Sequence, residues 1–228
     1  MSSGFGFPSI EDTTVFRDAY ILGYRFSENQ AAWVYEELTS NRISLARSNP
    51  VKRSDDFRPD PLIPEEYRVR PEDYAKSGFD RGHMAPAGDM AWSAEAMSDS
   101  FYMSNMSPQR PACNRRTWKD LESAVRSWTM EYEIVEVFTG PIFGGIESIG
   151  PTNRQISVPL AYYKALYVPE HNEMIAFVVP NRAVTNTLLY FVRSIDEIEA
   201  VTGLDLFRDE RLESTVNTGF WFKAEFDR

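Results

Sequence analysis

The chain has 228 residues, 43% of them hydrophobic, with 24 Lys plus Arg against 34 Asp plus Glu and a net charge of -10. That length buries one sizeable core, so a single domain is expected and wholesale disorder is excluded. No run approaches the roughly 18 consecutive apolar residues of a membrane-spanning helix, which predicts a soluble protein with no membrane partner, and a lone Cys113 excludes an intrachain disulfide or a thiolate zinc cage.

Met1 to Gly6 carry neither a basic start nor an apolar run, so no export signal is read there and the compartment stays open. Residues 19–38 read as two strands around Ser27-Glu28-Asn29, with a helix over 29–38 as the competing reading. Residues 49–79, rich in Pro, Asp and Arg, form a long irregular stretch, which inside a compact domain is either functional or floppy. A helix is predicted over 93–103 with Ser93 as its N-cap. The next, over 115–132, carries Trp118, Leu121, Val125 and Trp128 as one apolar stripe, with Glu122 and Arg126 along its edge as a possible ion pair. Asn114 stands where its N-cap would be.

Strands are predicted over 133–138, 157–168 and 174–179, and a helix over 194–202 that stops at Gly203. Because strands and helices do not alternate regularly, the expected class is α+β, with a central antiparallel sheet flanked by helices.

Charge is uneven. Between Asn105 and Met130 stand five basic residues (Arg110, Arg115, Arg116, Lys119, Arg126) and two acids, whereas from Asp196 onward four basic residues face nine acids. An anion-binding face on an acidic body is one reading, and a few solvated charges the other.

Only His83 and His171 offer an imidazole for proton transfer at neutral pH. His171 reads as part of an exposed turn, whereas His83 lies in Asp80-Arg81-Gly82-His83-Met84-Ala85-Pro86. Zinc chemistry lacks ligands, Cys113 reads as a buried thiol, and no serine-hydrolase elbow, P-loop or dinucleotide fingerprint is present. What remains is a histidine, several arginines, and amide and carboxylate groups able to hold a hard cation, which is the inventory phosphodiester hydrolysis needs.

The ordered set Asp80-Arg81-Gly82-His83-Met84-Ala85-Pro86, Ser104-Asn105-Met106-Ser107-Pro108-Gln109, Asn114-Arg115-Arg116-Thr117-Trp118 and Leu121-Glu122 resembles the DNA/RNA non-specific endonuclease family, the group with a ββα-metal (His-Me) finger. Further likenesses at Arg53-Ser54-Asp55-Asp56-Phe57, Thr139-Gly140-Pro141-Ile142-Phe143 and Thr202-Gly203-Leu204-Asp205 extend the match over a core from about 20 to 213. The resemblance implies a single nuclease domain over residues 1–228 that cleaves DNA and RNA to 5′-phosphate products. It places the general base on His83 and a direct ligand of Mg²⁺, or of Mn²⁺ or another divalent ion, on Asn114. Glu122 matches the carboxylate that reaches the metal through water. Arg81, Arg126 and Arg53 match guanidinium groups near the scissile phosphate, with Arg58 as the alternative to Arg53, and Asn105 matches a residue that shapes the site. Tyr102 and Trp118 read as core side chains more readily than as platforms for bases.

This sequence departs from the pattern in Arg115-Arg116, where secreted relatives often carry a small uncharged pair, and in its acidity, which predicts salt-sensitive activity. The rival reading is a noncatalytic nucleic-acid- or protein-binding module retaining the fold; a third is a phosphodiesterase for small nucleotides. The family includes monomers and homodimers. The hazard of a non-specific nuclease to its host favours a secreted or periplasmic home, with a mitochondrial one as the alternative.

Overall fold

The computed structural model describes residues 7–9, 11–207 and 215–223, so the far end of the expected core, at Glu213, lies outside the described residues. In chain order the strands are β1 (Thr13–Phe16), β2 (Ile21–Arg25), β3 (Gln30–Thr39), β4 (Asp80–His83), β5 (Met106–Gln109), β6 (Ile134–Ile142), β7 (Ser148–Ile149), β8 (Ile156–Ser157), β9 (Ala161–Val168), β10 (Glu173–Pro180) and β11 (Val192–Arg193). Among the described residues five helices accompany them: α1 (Ser40–Ser48), α2 (Ala94–Asp99), α3 (Lys119–Tyr132), α4 (Ile195–Thr202) and α5 (Thr218–Trp221). Seven strands make one antiparallel sheet in the order β1-β2-β3-β6-β9-β10-β11, and the class is α+β.

Both faces of this sheet are covered. On one, Val34, Leu38, Val137 and Leu166 pack with Trp118, Leu121, Val125 and Trp128 of the α3 region. On the other, Trp33, Tyr35, Phe138 and Tyr163 pack with Ile195 and Ile198 of α4. The alternation of Trp33 and Tyr35 with Val34 between two cores is what makes residues 30–39 a strand, since a helix would put neighbours in sequence about 100° apart on one cylinder. β9, between β6 and β10, is buried at every position.

The irregular stretch is pinned. Asp60 accepts from Arg17 (2.6 Å) and from the Ser104 hydroxyl (2.5 Å), and Asp73 holds Arg154 (2.8 Å) while capping the turn Pro71–Tyr74 at Arg70 N. Three boundaries differ from the sequence reading. The helix capped by Ser93 stops at Asp99, and residues 103–105 form a separate tight turn. The expected strand over 157–168 divides, because Ile156–Ser157 pairs with Ser148–Ile149 before β9 begins at Ala161.

The third concerns Asn114, which is no N-cap. The helical path starts at residue 111 and passes through a π-helical turn, Cys113–Trp118, before α3. Asn114 therefore lies inside the helix, its N–H bonded to Arg110 O (3.0 Å). A π turn inserts one extra residue, and such turns concentrate at functional sites. Here it lets Trp118 stay on the buried stripe while Asn114 faces the strand pair β4–β5.

That pair sits beside the main sheet, tied to it by Ser107, whose hydroxyl bonds Gln30 of β3 (2.5 Å) and Tyr162 of β9 (2.9 Å). Strand, strand and helix thus follow in order, with the α3 stripe as the anchor. Leu121 is fully buried at its centre. Leu121→Ala is expected to cost roughly 2–5 kcal/mol in urea unfolding, as buried large-to-small changes do; a loss well below that range would show that the stripe does not anchor the helix.

Candidate active site

β4 can lie close against β5 because position 82 is glycine: a Cβ there would collide with the Gln109 side chain. Beyond His83 the chain is held by Asn105, fully buried, whose side chain accepts from Ala85 N (2.9 Å) and donates to Ala85 O (3.0 Å) and Ser100 O (2.9 Å). Three bonds of this kind satisfy the amide and lock the segment that follows His83. Asn105 does not line the cleft; it holds the backbone of Ala85 and Ser100 behind it.

His83 faces a cleft of about 390 Å³ shared with Arg53, Arg81, Asn114, Glu122 and Arg126. Its ring is held by aromatic contacts, with Phe101 edge-on at 4.8 Å and Phe57 at 6.0 Å, and Nε2 is buried without a hydrogen-bond partner. Burial, and secondarily the Arg53 charge, push its pKa down to about 3. The imidazole is therefore neutral near pH 7.

The same two rings carry cations. Arg53 lies 4.7 Å from the centre of Phe101 and Arg81 lies 4.3 Å from that of Phe57. Arg53 also pairs with Asp55 in an exposed contact (2.7 Å). Arg58, the alternative, turns away to Asp56, Ser98 and the Tyr102 ring, and is absent from the cleft wall. Trp118 is fully buried and Tyr102 is sandwiched between Arg17 and Arg58, so neither is a platform in this cleft.

Across the cleft, Asp80 accepts from Asn114 Nδ2 (2.9 Å) and from both arms of Arg115 (2.9 and 2.7 Å). Partial burial works against its charge, but the bonds from Arg115 and Asn114 hold its carboxyl below the usual range. With Nδ2 engaged, the Asn114 amide is oriented and its Oδ1 receives no hydrogen bond from a described residue. Arg126 pairs with Asp89 (2.8 Å) and not with Glu122 as the sequence suggested, since Asp89 is nearly fully buried and would otherwise be an uncompensated charge.

Glu122 is half-buried and accepts no hydrogen bond from a described residue. Burial lifts its carboxyl to about 7, against the pull of Lys164, with Asp89 adding to the rise. Lys164, itself buried on β9, donates to Thr139 (2.7 Å). Cys113 is buried too, its thiol pushed up to about 12, so it holds its proton.

Among the described residues no group of three or more His, Cys, Asp or Glu is placed to hold a metal ion. Asn114 Oδ1 and the Glu122 carboxylate are oxygen donors without competing donors, a sparse hard set that fits a cation retaining most of its water. A larger hollow of about 680 Å³, lined by Glu72, Asp73 and Glu147, has no Lys or Arg in its wall and suits no phosphate.

The model of the DNA/RNA non-specific endonuclease family matches residues 2–212. The chain belongs to that family. It is 36% identical over 220 residues to Nuclease C1 of Cunninghamella echinulata var. echinulata, covering 89% of this chain and 86% of that protein. It is 36% identical over 202 residues to the mitochondrial endonuclease G of Homo sapiens, covering 82% and 67% respectively. A crystal structure of an EndoG/EndoGI complex, described as showing the mechanism of EndoG inhibition, superposes with a TM-score of 0.85 at 31% identity over 94% of this chain and 93% of that one. As a member of the non-specific endonucleases this chain is a nuclease, a phosphodiester hydrolase.

Sequence reasoning passed over Asp80 as the partner of Asn114, Asp89 as the partner of Arg126, and Phe57 and Phe101 as the walls of His83. Asp80 and Phe57 stood inside the quoted motifs; Asp89 and Phe101 carried no local signal.

A buried histidine that stays neutral leaves a mark on stability. The unfolded chain takes up a proton near the ordinary histidine pKa of about 6.5 and the folded chain only near 3, so stability falls as pH drops through that window. Relative to His83→Gln, the unmodified protein is expected to lose stability from pH 6.5 towards 3 in urea melts. Parallel curves would contradict the neutral assignment.

Proposed function

We propose that this nuclease is a sugar-nonspecific endonuclease, with DNA and RNA as substrates and a single catalytic domain, in which β4, β5 and the helix after them act as a ββα-metal finger. The observation that carries the reading is the convergence, in one cleft, of a neutral buried histidine, an oriented asparagine oxygen, a carboxylate and four guanidinium groups.

His83 is the general base. Its neutral ring accepts the proton of the water that attacks phosphorus, and the Phe57 and Phe101 walls fix the ring plane while excluding bulk water. Asn114 through Oδ1, and Glu122 through a water molecule, would hold one divalent cation, Mg²⁺ in the first place, which would supply positive charge to stabilise the departing 3′ oxygen. Arg81 and Arg53, each laid on a ring, and Arg126, steadied by Asp89, present forks to the phosphoryl oxygens, where charge grows as water adds. In-line attack leaves a 5′-phosphate and a free 3′-hydroxyl without a covalent intermediate.

None of these residues addresses a base edge, and a protein that grips backbone accepts DNA and RNA alike. Supercoiled plasmid and single-stranded RNA, incubated with the purified chain, are both expected to be cut with Mg²⁺ and spared with EDTA. His83→Ala is expected to slow cutting about 10²–10⁴-fold, the range supplied by a general base. Cleavage by His83→Ala at the normal rate would remove His83 from the mechanism, and no cleavage by the unmodified chain under any condition would favour a noncatalytic binding module.

A further inference from the structure

The cations of the cleft differ in how far they are already neutralised. Arg126 faces Asp89, Arg53 faces Asp55, and Arg115 is forked onto Asp80, all at 2.7–2.8 Å, while Arg81 lies over the Phe57 ring. Lys119, on the first turn of α3, also lines the cleft and is exposed, yet its ammonium meets no carboxylate among the described residues. Arg116, three positions earlier and equally exposed, does not line the cleft. The run of positive charge in the sequence is therefore divided by the helix: one member meets the cleft unneutralised and another faces elsewhere.

Lys119 and Arg126 are seven residues apart, about 10 Å along the helix at 1.5 Å per residue. That separation is several times the axial rise of about 3.4 Å per nucleotide on one strand, which places the two side chains to reach different phosphates of the same strand. Resting on the endonuclease reading above, we propose that Lys119 forms a second phosphate subsite, which binds a backbone phosphate flanking the scissile one and adds affinity without taking part in the chemistry. On a chain of net charge -10, where the average field repels nucleic acid, a free ammonium inside the cleft is the kind of group that recovers substrate capture.

The test is steady-state cleavage of a long duplex by the unmodified chain, Lys119→Gln, Lys119→Arg and Arg116→Gln, each over a series of salt concentrations. Lys119→Gln is expected to raise KM roughly three- to tenfold, with the effect on KM and not on kcat, and to make the slope of log(kcat/KM) against log[salt] shallower by about 0.9, the loss of one phosphate contact. Lys119→Arg is expected to keep the slope. Arg116→Gln, which removes the same charge outside the cleft, is expected to keep it too. An unchanged slope in Lys119→Gln, or an equal loss in Arg116→Gln, overturns the subsite while leaving the nuclease reading intact. Absence of cleavage by the unmodified chain overturns both.

Discussion

A single carboxylate joins the two halves of the site. Asp80 opens the strand that ends in His83, and it binds the amide of Asn114 and the guanidinium of Arg115 on the helix that goes on to carry Glu122 and Arg126. The contact with Arg115 is largely exposed and of a kind worth little stability on its own. Its bond to Asn114 matters for another reason: an amide has an oxygen and a nitrogen at nearly the same place, and only a committed partner decides which of them meets a cation. Asp80 can accept and cannot donate when ionised, so it takes the nitrogen. Without that choice the helix would still pack, because its stripe is apolar, but the cleft would lose its defined oxygen.

The remainder of the site is built around burial. His83 stays neutral because of its burial against two aromatic rings, and those rings also hold Arg53 and Arg81, so one packing arrangement sets both the protonation of the imidazole and the positive field beside it. On the α3 side, Asp89 meets Arg126, and Lys164 lies in the sheet with Thr139 for its partner. These charges cost desolvation and add little to folding. They set the electrostatics in which Glu122 works, its carboxyl balanced between burial and surrounding cations.

Much of this was readable from local pattern. The stripe on α3 follows from helical spacing, the β3 alternation from Trp33, Val34 and Tyr35, and the stop at Gly203 from the left-handed conformation that residue takes (φ +73°). His83 stood out because the chain has only two histidines and the other lies in a turn. What was not readable is long-range pairing. Nothing near Arg126 names Asp89, 37 residues back, and Glu122 one turn away was the natural guess. The π turn likewise leaves no mark in a pattern of threes and fours, which is why Asn114 read as a cap when it is an interior residue held by Asp80.

The Mg²⁺ concentration giving half-maximal plasmid cleavage tests most directly whether the Asp80 bond to Asn114 presents the amide oxygen to a cation. In Asp80→Ala that concentration is expected to rise about ten- to a hundredfold, the usual effect of losing the partner that orients a metal ligand. Half-saturation at the same Mg²⁺ concentration in Asp80→Ala and the unmodified chain would contradict the account.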